Sequence, residues 1–133
     1  MMLADVRDYV ASLGLADHVY MGKLPDKQNK SIGVYNSKHE QAYRIAIGGM
    51  ALGSYGIKNV TLLVHWNKSL RETEAAAARL FEAVSKTREA KINEATIKFI
   101  QPLYEPQDIG TDDAGICEMV IEIAVIFERS KNG

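Results

Sequence analysis

Several residue types that usually carry chemistry are scarce in this sequence. There is one cysteine, Cys117, so an intramolecular disulfide and a multi-cysteine metal site are both excluded. The three histidines, His18, His39 and His65, are scattered, and no pair has the i,i+4 spacing of ligands on one helix face. No apolar run approaches the ~20 residues of a membrane span. Neither sign of charge dominates: 16 Lys and Arg face 17 Asp and Glu, for a net charge of −1 and a pI near 6.3. There is thus no overall basic field to hold nucleic acid or anionic lipid. Asp5 precedes any apolar run, and the start lacks the basic and apolar regions of a signal peptide, which predicts a cytosolic protein.

What is present is the balance of an ordinary globular domain: 133 residues, 47% apolar and 25% charged. We expect one domain over residues 1–133, with no internal repeat, low-complexity tract or linker. At this size a chain buries roughly two-thirds of its unfolded surface, and needs no disulfide or metal to fold.

Leu3, Val6, Val10 and Leu13 form one apolar stripe at helical spacing, and Gly14 supplies a left-handed stop. A short strand is expected from His18 to Gly22, a turn at Pro25-Asp26, and a second strand from Ser31 to Tyr35 with Ile32 and Val34 on one face. Gln41 to Ile47 alternates as a strand. Gly48 to Gly56 is too glycine-rich for either regular element and reads as a long mobile loop. Ile57 to Trp66 is a strong strand, with Val60, Leu62, Val64 and Trp66 on one face. The other face is more polar, with Thr61 and His65 beside Leu63.

Ser69-Leu70-Arg71-Glu72 has the spacing of a reciprocal capping box before an alanine-rich helix. The expected buried stripe is Leu70, Thr73, Ala77, Leu80, Phe81 and Val84. Arg88 to Glu94 reads as a polar extension of that helix or a link onward. Thr96 to Gln101 is expected as a strand with Ile97 and Phe99 on one side. Tyr104 to Gly115 reads as an acidic loop. Cys117 to Phe127 is apolar at every odd position, while its even positions mix glutamates with Val120, Ala124 and Ile126. Arg129 to Gly133 is a polar tail. The order of elements favours antiparallel pairing and predicts an α+β fold: a mixed, largely antiparallel sheet packed against two amphipathic helices. The expected core is Val6, Val10, Leu13, Val60, Leu62, Val64, Leu80, Phe81, Ile121, Ile123 and Val125.

Candidate chemistry fails at each motif. Gly48 and Gly53 have the spacing of a phosphate loop, but Ser54 and Tyr55 stand where lysine and serine or threonine belong. No G-x-G follows a strand. The acids near residue 110 lack the order of a calcium loop. Cys117 lies on a regular apolar face with no nearby group to activate it, and no serine sits in a G-x-S-x-G elbow. Lys23, Lys27, Lys30 and Lys38 form a modest basic stretch near Tyr20, Tyr35 and Tyr43. A single-strand binder would need those rings aligned on an exposed sheet face. The sequence predicts no catalytic residue, no metal and no cofactor.

The chain resembles the minor capsid and tail-terminator (tail-completion) proteins of long-tailed bacteriophages. The resemblance rests on the amphipathic start Met2 to Leu13, the string Val19-Tyr20-Met21-Gly22-Lys23-Leu24-Pro25-Asp26, and a strand ending at Val34-Tyr35. It continues in the strand Val60 to Asn67 running into the Ser69-capped helix, and in the final strand Val120 to Arg129.

The resemblance implies a tail-terminator-like fold without enzymatic activity and a structural virion protein that closes into a ring, expected as a hexamer. Its implied partners are the major tail tube protein and the head–tail connector, with no membrane and no specific nucleic acid. Its implied place is the tail–head junction of the virion, reached from the host cytoplasm. The alternatives are a head–tail connector (neck) subunit, or a small cytosolic nucleic-acid- or ligand-binding domain. For assembly we expect two sets of contacts. The acidic residues Glu105, Asp108, Asp112 and Asp113 would meet a basic neighbour such as Lys23, Lys27 and Lys30, and the apolar side chains Met50, Leu52 and Tyr55 would order on docking.

Overall fold

The computed structural model describes residues 1–23, 29–38 and 55–128. The expected strand at 41–47, the turn at Pro25-Asp26, His39, most of the glycine loop with Met50 and Leu52, Lys27 and the tail from Arg129 lie outside the described residues. Among the described residues two helices, α1 (Leu3–Ser12) and α2 (Leu70–Ser85), accompany seven strands. The strands are β1 (His18–Met21), β2 (Ser31–Asn36), β3 (Tyr55–His65), β4 (Arg88–Ile92), β5 (Ala95–Pro102), β6 (Gln107–Thr111) and β7 (Cys117–Glu128).

They form one sheet in the order β1-β2-β3-β7-β5-β4, and β6 also pairs with β7. Only β1–β2 is parallel; the other pairings are antiparallel. The fold is α+β, as the sequence predicts. Helix α2 lies on β7, β5 and β3, whereas α1 touches β1 and β2 and also β4 near the other end of the sheet. The sheet therefore curls around its core, and α1 spans the curl. Asn93, in the β4–β5 turn, donates to Asp5 and Asp8 of α1 at 2.9 and 3.0 Å. Tyr9 of α1 shares a 2.6 Å hydrogen bond with Thr87, just past α2.

Each helix ends where its sequence says it should. In α1 the Asp5 carboxylate accepts from the Met2 amide at 2.8 Å, and Gly14 follows with φ +67°, a conformation that favours glycine. At the start of α2, Ser69 Oγ accepts from the Glu72 amide at 3.2 Å. The reciprocal half of the expected box does not form. Asn67 Oδ1 takes the Ser69 amide at 2.9 Å, and Glu72 accepts from the Asn67 side-chain amide instead. Past the C-terminus, the Arg88 guanidinium donates to the carbonyls of Ser85 and Thr87.

The main core contains every residue expected there. Leu13 and Phe81 are half-buried at its margin and the rest are buried. Ala76 joins the buried stripe of α2, but Leu70, in the first turn, stays exposed; capping hydrogen bonds rather than packing hold that turn. A smaller apolar cluster lies on the opposite face of the sheet, with Ala124 and Ile126 buried among Tyr55, Ile57, Phe99 and Leu103.

Four other expectations are corrected. Arg88 to Glu94 is not a helical extension: it is β4 and its turn, in which Asn93 takes φ +56°. Its residues favour helix, but Ala90 and Ile92 alternate onto the core. Ile97 and Phe99 do not share a face. A register shift between them turns Ile97 to the main core and Phe99 to the smaller cluster. The acidic segment Tyr104 to Gly115 contains a strand, β6, whose five residues are all exposed, so no apolar alternation marks it. Tyr55 and Gly56 belong to β3 rather than to a loop.

Gly56 faces Phe127 across the β3–β7 ladder. A methyl group at Gly56 would overlap the Phe127 ring. Gly56→Ala should therefore destabilise the fold by about 1–3 kcal/mol through overpacking. Adding Phe127→Leu should recover part of the loss, which a double-mutant cycle in denaturant checks. Leu80, fully buried on α2, should cost about 2–5 kcal/mol when changed to alanine, read as a lowered denaturant midpoint with an unchanged slope.

Candidate assembly surfaces

Charge is sorted along this chain. Between Phe99 and Glu128 there are seven carboxylates and no lysine or arginine. The expected contact residues Glu105, Asp108, Asp112 and Asp113 all fall in this stretch. Asp108 lies on β6, Glu105 just before it, and Asp112 and Asp113 in the turn joining β6 to β7. Lys23 and Lys30 lie at the β1–β2 end of the sheet, and Lys38 follows β2. All three are exposed. Strands β2, β3 and β7 lie between β1 and β6, and the Lys30 amide donates to the Trp66 carbonyl just past β3. Among the described residues, ion pairs of Lys and Arg with carboxylates are confined to α1, α2 and the β4–β5 hairpin. Neither Lys23 and Lys30 nor Glu105 and Asp113 take part in one.

The β6–β7 hairpin is held firmly. Asp112 Oδ1 accepts the amides of Ala114 and Ile116, each at 2.9 Å. Its other oxygen lies 3.6 Å from Nε2 of the buried His65 on β3. On the far side of the ring, His65 Nδ1 is 2.9 Å from Glu118 Oε2. One imidazole thus sits between a carboxylate of the turn and a carboxylate of β7. Along β6, Asp108 Oδ1 accepts the Gly110 amide at 2.8 Å, beside a bulge that skips Ile109.

A second carboxylate pins the middle of the sheet. Glu122 is buried on β7 and accepts hydrogen bonds at 2.8 Å from Ser37 beyond β2 and Thr61 on β3. Partial burial, then the Glu122 charge, hold the nearby Tyr104 phenol above its ordinary pKa.

Tyr55 is not on a loop tip. It stands opposite Glu128 in the β3–β7 ladder, packed against the smaller apolar cluster, with the Lys98 ammonium 5.9 Å from its ring centre. The structure thus brings the four acidic residues into one region, whereas Lys23 and Lys30 stand at opposite ends of the parallel β1–β2 pair, Lys30 level with Asp17. Sequence reasoning passed over His65, Glu118 and Glu122 as site residues. The signal available was their alternation: the even-numbered acids of one strand face Thr61 and His65 of the next. It also passed over Ile109 and Met21, which are large apolar side chains left exposed.

The Asp112 carboxyl is held below the usual carboxylate range. The Ile116 amide is the largest cause, and the Ala114 amide and His65 add to it. A lowered folded-state pKa contributes stability above the ordinary carboxylate pKa, and that stability is lost as pH falls through the folded value. The turn should therefore keep its hydrogen bonds at neutral pH and release them only in acid below the ordinary Asp range. A carboxyl NMR titration of Asp112 should show this depressed midpoint. Exchange of the Ala114 and Ile116 amides should quicken over the same interval.

No curated protein matches the chain significantly. Residues 9–129, nearly all of the sequence, match the family model described as bacteriophage tail terminator protein. The chain therefore belongs to the bacteriophage tail terminator family, and its role is structural, in a phage tail.

Proposed function

We propose that this protein closes into a homo-oligomeric ring, caps the end of the tail tube and provides the surface onto which the head connector docks. Membership of the terminator family carries the reading. The sorting of charge supports the ring. A closed ring needs a head-to-tail contact between two different surfaces of one protomer. Among the described residues Glu105, Asp113, Lys23 and Lys30 are exposed and stand outside the ion pairs, and contacts between such groups set orientation.

In this reading the protein performs no catalysis. It acts by occupying the tube end, and Met50 and Leu52 are contacts to the neighbouring ring. Its working location is the junction of tail and head in the virion, with assembly in the host cytoplasm.

The test is tail assembly in a phage that encodes this chain, with its gene deleted and the products examined by electron microscopy. Tubes should run beyond normal length or fail to join heads, and the gene supplied in trans should restore both. Tails of normal length that join heads efficiently without the protein would reject the terminator role.

A further inference from the structure

We propose that His65 is a proton-dependent latch: while its ring holds two protons it ties the β6–β7 hairpin to β3, and loss of the Nε2 proton releases that tie. The latch stands independently of the ring reading.

The geometry fixes which nitrogen keeps its proton. Nδ1 lies 2.9 Å from Glu118 Oε2, and an ionised carboxylate can only accept, so Nδ1 must donate. In the neutral ring Nε2 is then a bare acceptor. Among the described residues that nitrogen is buried and has no hydrogen-bond partner. It faces Asp112 Oδ2, 3.6 Å away. Without a second proton, two acceptors face each other where Nε2 has no water to turn to, which is unfavourable. A proton on Nε2 turns the same contact into an ion pair.

Asp112 is not free to turn away. Its Oδ1 holds the amides of Ala114 and Ile116, so the turn itself presents Oδ2 to the ring. Those two bonds stay within the turn and survive the loss of the His65 proton. What is lost is the link between the turn and β3.

The other described neighbours bring no competing charge to the ring. On β2 the residue level with His65 is Ser31, which does not titrate. Lys30 and Asp17, joined there by a backbone hydrogen bond, are exposed, as is Asp113 in the turn. Cys117 precedes Glu118 and so lies on the other face of β7.

An imidazole changes charge between about pH 5 and 8. Asp112 is held below the ordinary carboxylate range, by the Ile116 amide first, and stays ionised throughout that interval. The ion pair therefore stabilises the hairpin on the acid side of the interval, and its contribution is lost as pH rises. Asp108, Asp112 and Asp113 ride on this hairpin, so the placement of the acidic surface follows pH.

Ring-nitrogen NMR of the wild type reads the proton directly. At about pH 5.5 both nitrogens of His65 should carry protons, and at about pH 8.5 Nδ1 alone. A ring with the same protons at both values, or with its lone proton on Nε2, overturns the proposal. Denaturant unfolding of Asp112→Asn, which keeps an oxygen for the two amides, reads the tie. Relative to the wild type, the substitution should raise the unfolding constant at least about fivefold more at the lower pH than at the higher. In a His65→Gln background the two values should agree within about twofold. A cost of Asp112→Asn that does not change with pH, or that changes equally in the His65→Gln background, overturns the proposal. Where His65→Gln does not fold, hydrogen exchange across the β6–β7 ladder replaces it. After correction for intrinsic exchange, protection in the wild type should fall more than about threefold between the two pH values, and in Asp112→Asn it should not. Unchanged protection in the wild type, or an equal fall in the variant, overturns the latch.

Discussion

The pairing of β7 with β3 is the constraint on which the rest of this protein depends. β7 is twelve residues long and β3 eleven, and they pair along the full length of β3. The other edge of β7 takes β5 and then β6, so three strands share it as a template. Side chains alternate in faces along a strand, and a slip of one residue would turn Ile121, Ile123 and Val125 away from the helices. The register is fixed by groups that fit one way only. On the opposite face Glu122 meets Thr61 and Ser37 and Glu118 meets His65, and on the core face Gly56 leaves room for the Phe127 ring. The apolar face supplies the driving force, while the polar face selects the alignment.

That division explains why a buried carboxylate is tolerated. Burying Glu122 carries a desolvation penalty, which hydroxyl donors reduce but do not remove. Its two partners come from β3 and from the segment just beyond β2, so the three strands are tied at one point. Replacing Glu122 with an apolar residue could keep the packing, yet it would lose the group that distinguishes the native register from its neighbours. The His65 arrangement extends the logic outward. It links β3 and β7 to the β6–β7 turn, so the exposed hairpin inherits order from the buried ladder.

Legibility from the sequence followed burial. Helices α1 and α2, the strands β3 and β7 and the main core could be read because each has one face in the core, and periodicity records that. β6 left no such record, since all five of its residues are exposed. β4 was hidden by helix-forming residues, Arg88 to Lys91, whose strand conformation is imposed by pairing with β5. The fault over Phe99 came from one bulge, which no alternation rule anticipates. For the site, the acidic residues could be grouped by sequence alone because they are neighbours in the chain. The distance between them and the lysines could not, because it depends on the strand order.

The edges of the sheet bear on why such a protein would stop growth rather than continue it. A strand with unpaired backbone groups accepts another strand in many registers, which suits open arrays and aggregation. Here the Val19 carbonyl is capped by Arg7, β6 carries a bulge and a self-capped amide, and β4 holds Glu89 at φ +49° with a skipped position in its ladder. Each device makes main-chain extension poor and leaves recognition to side chains. Side-chain recognition fixes relative orientation, and a fixed rotation between neighbours is what would allow the proposed head-to-tail contact to close. In the ring proposed above, contacts made by side chains together with these poor strand edges would give the next strand little to pair with, which suits a cap.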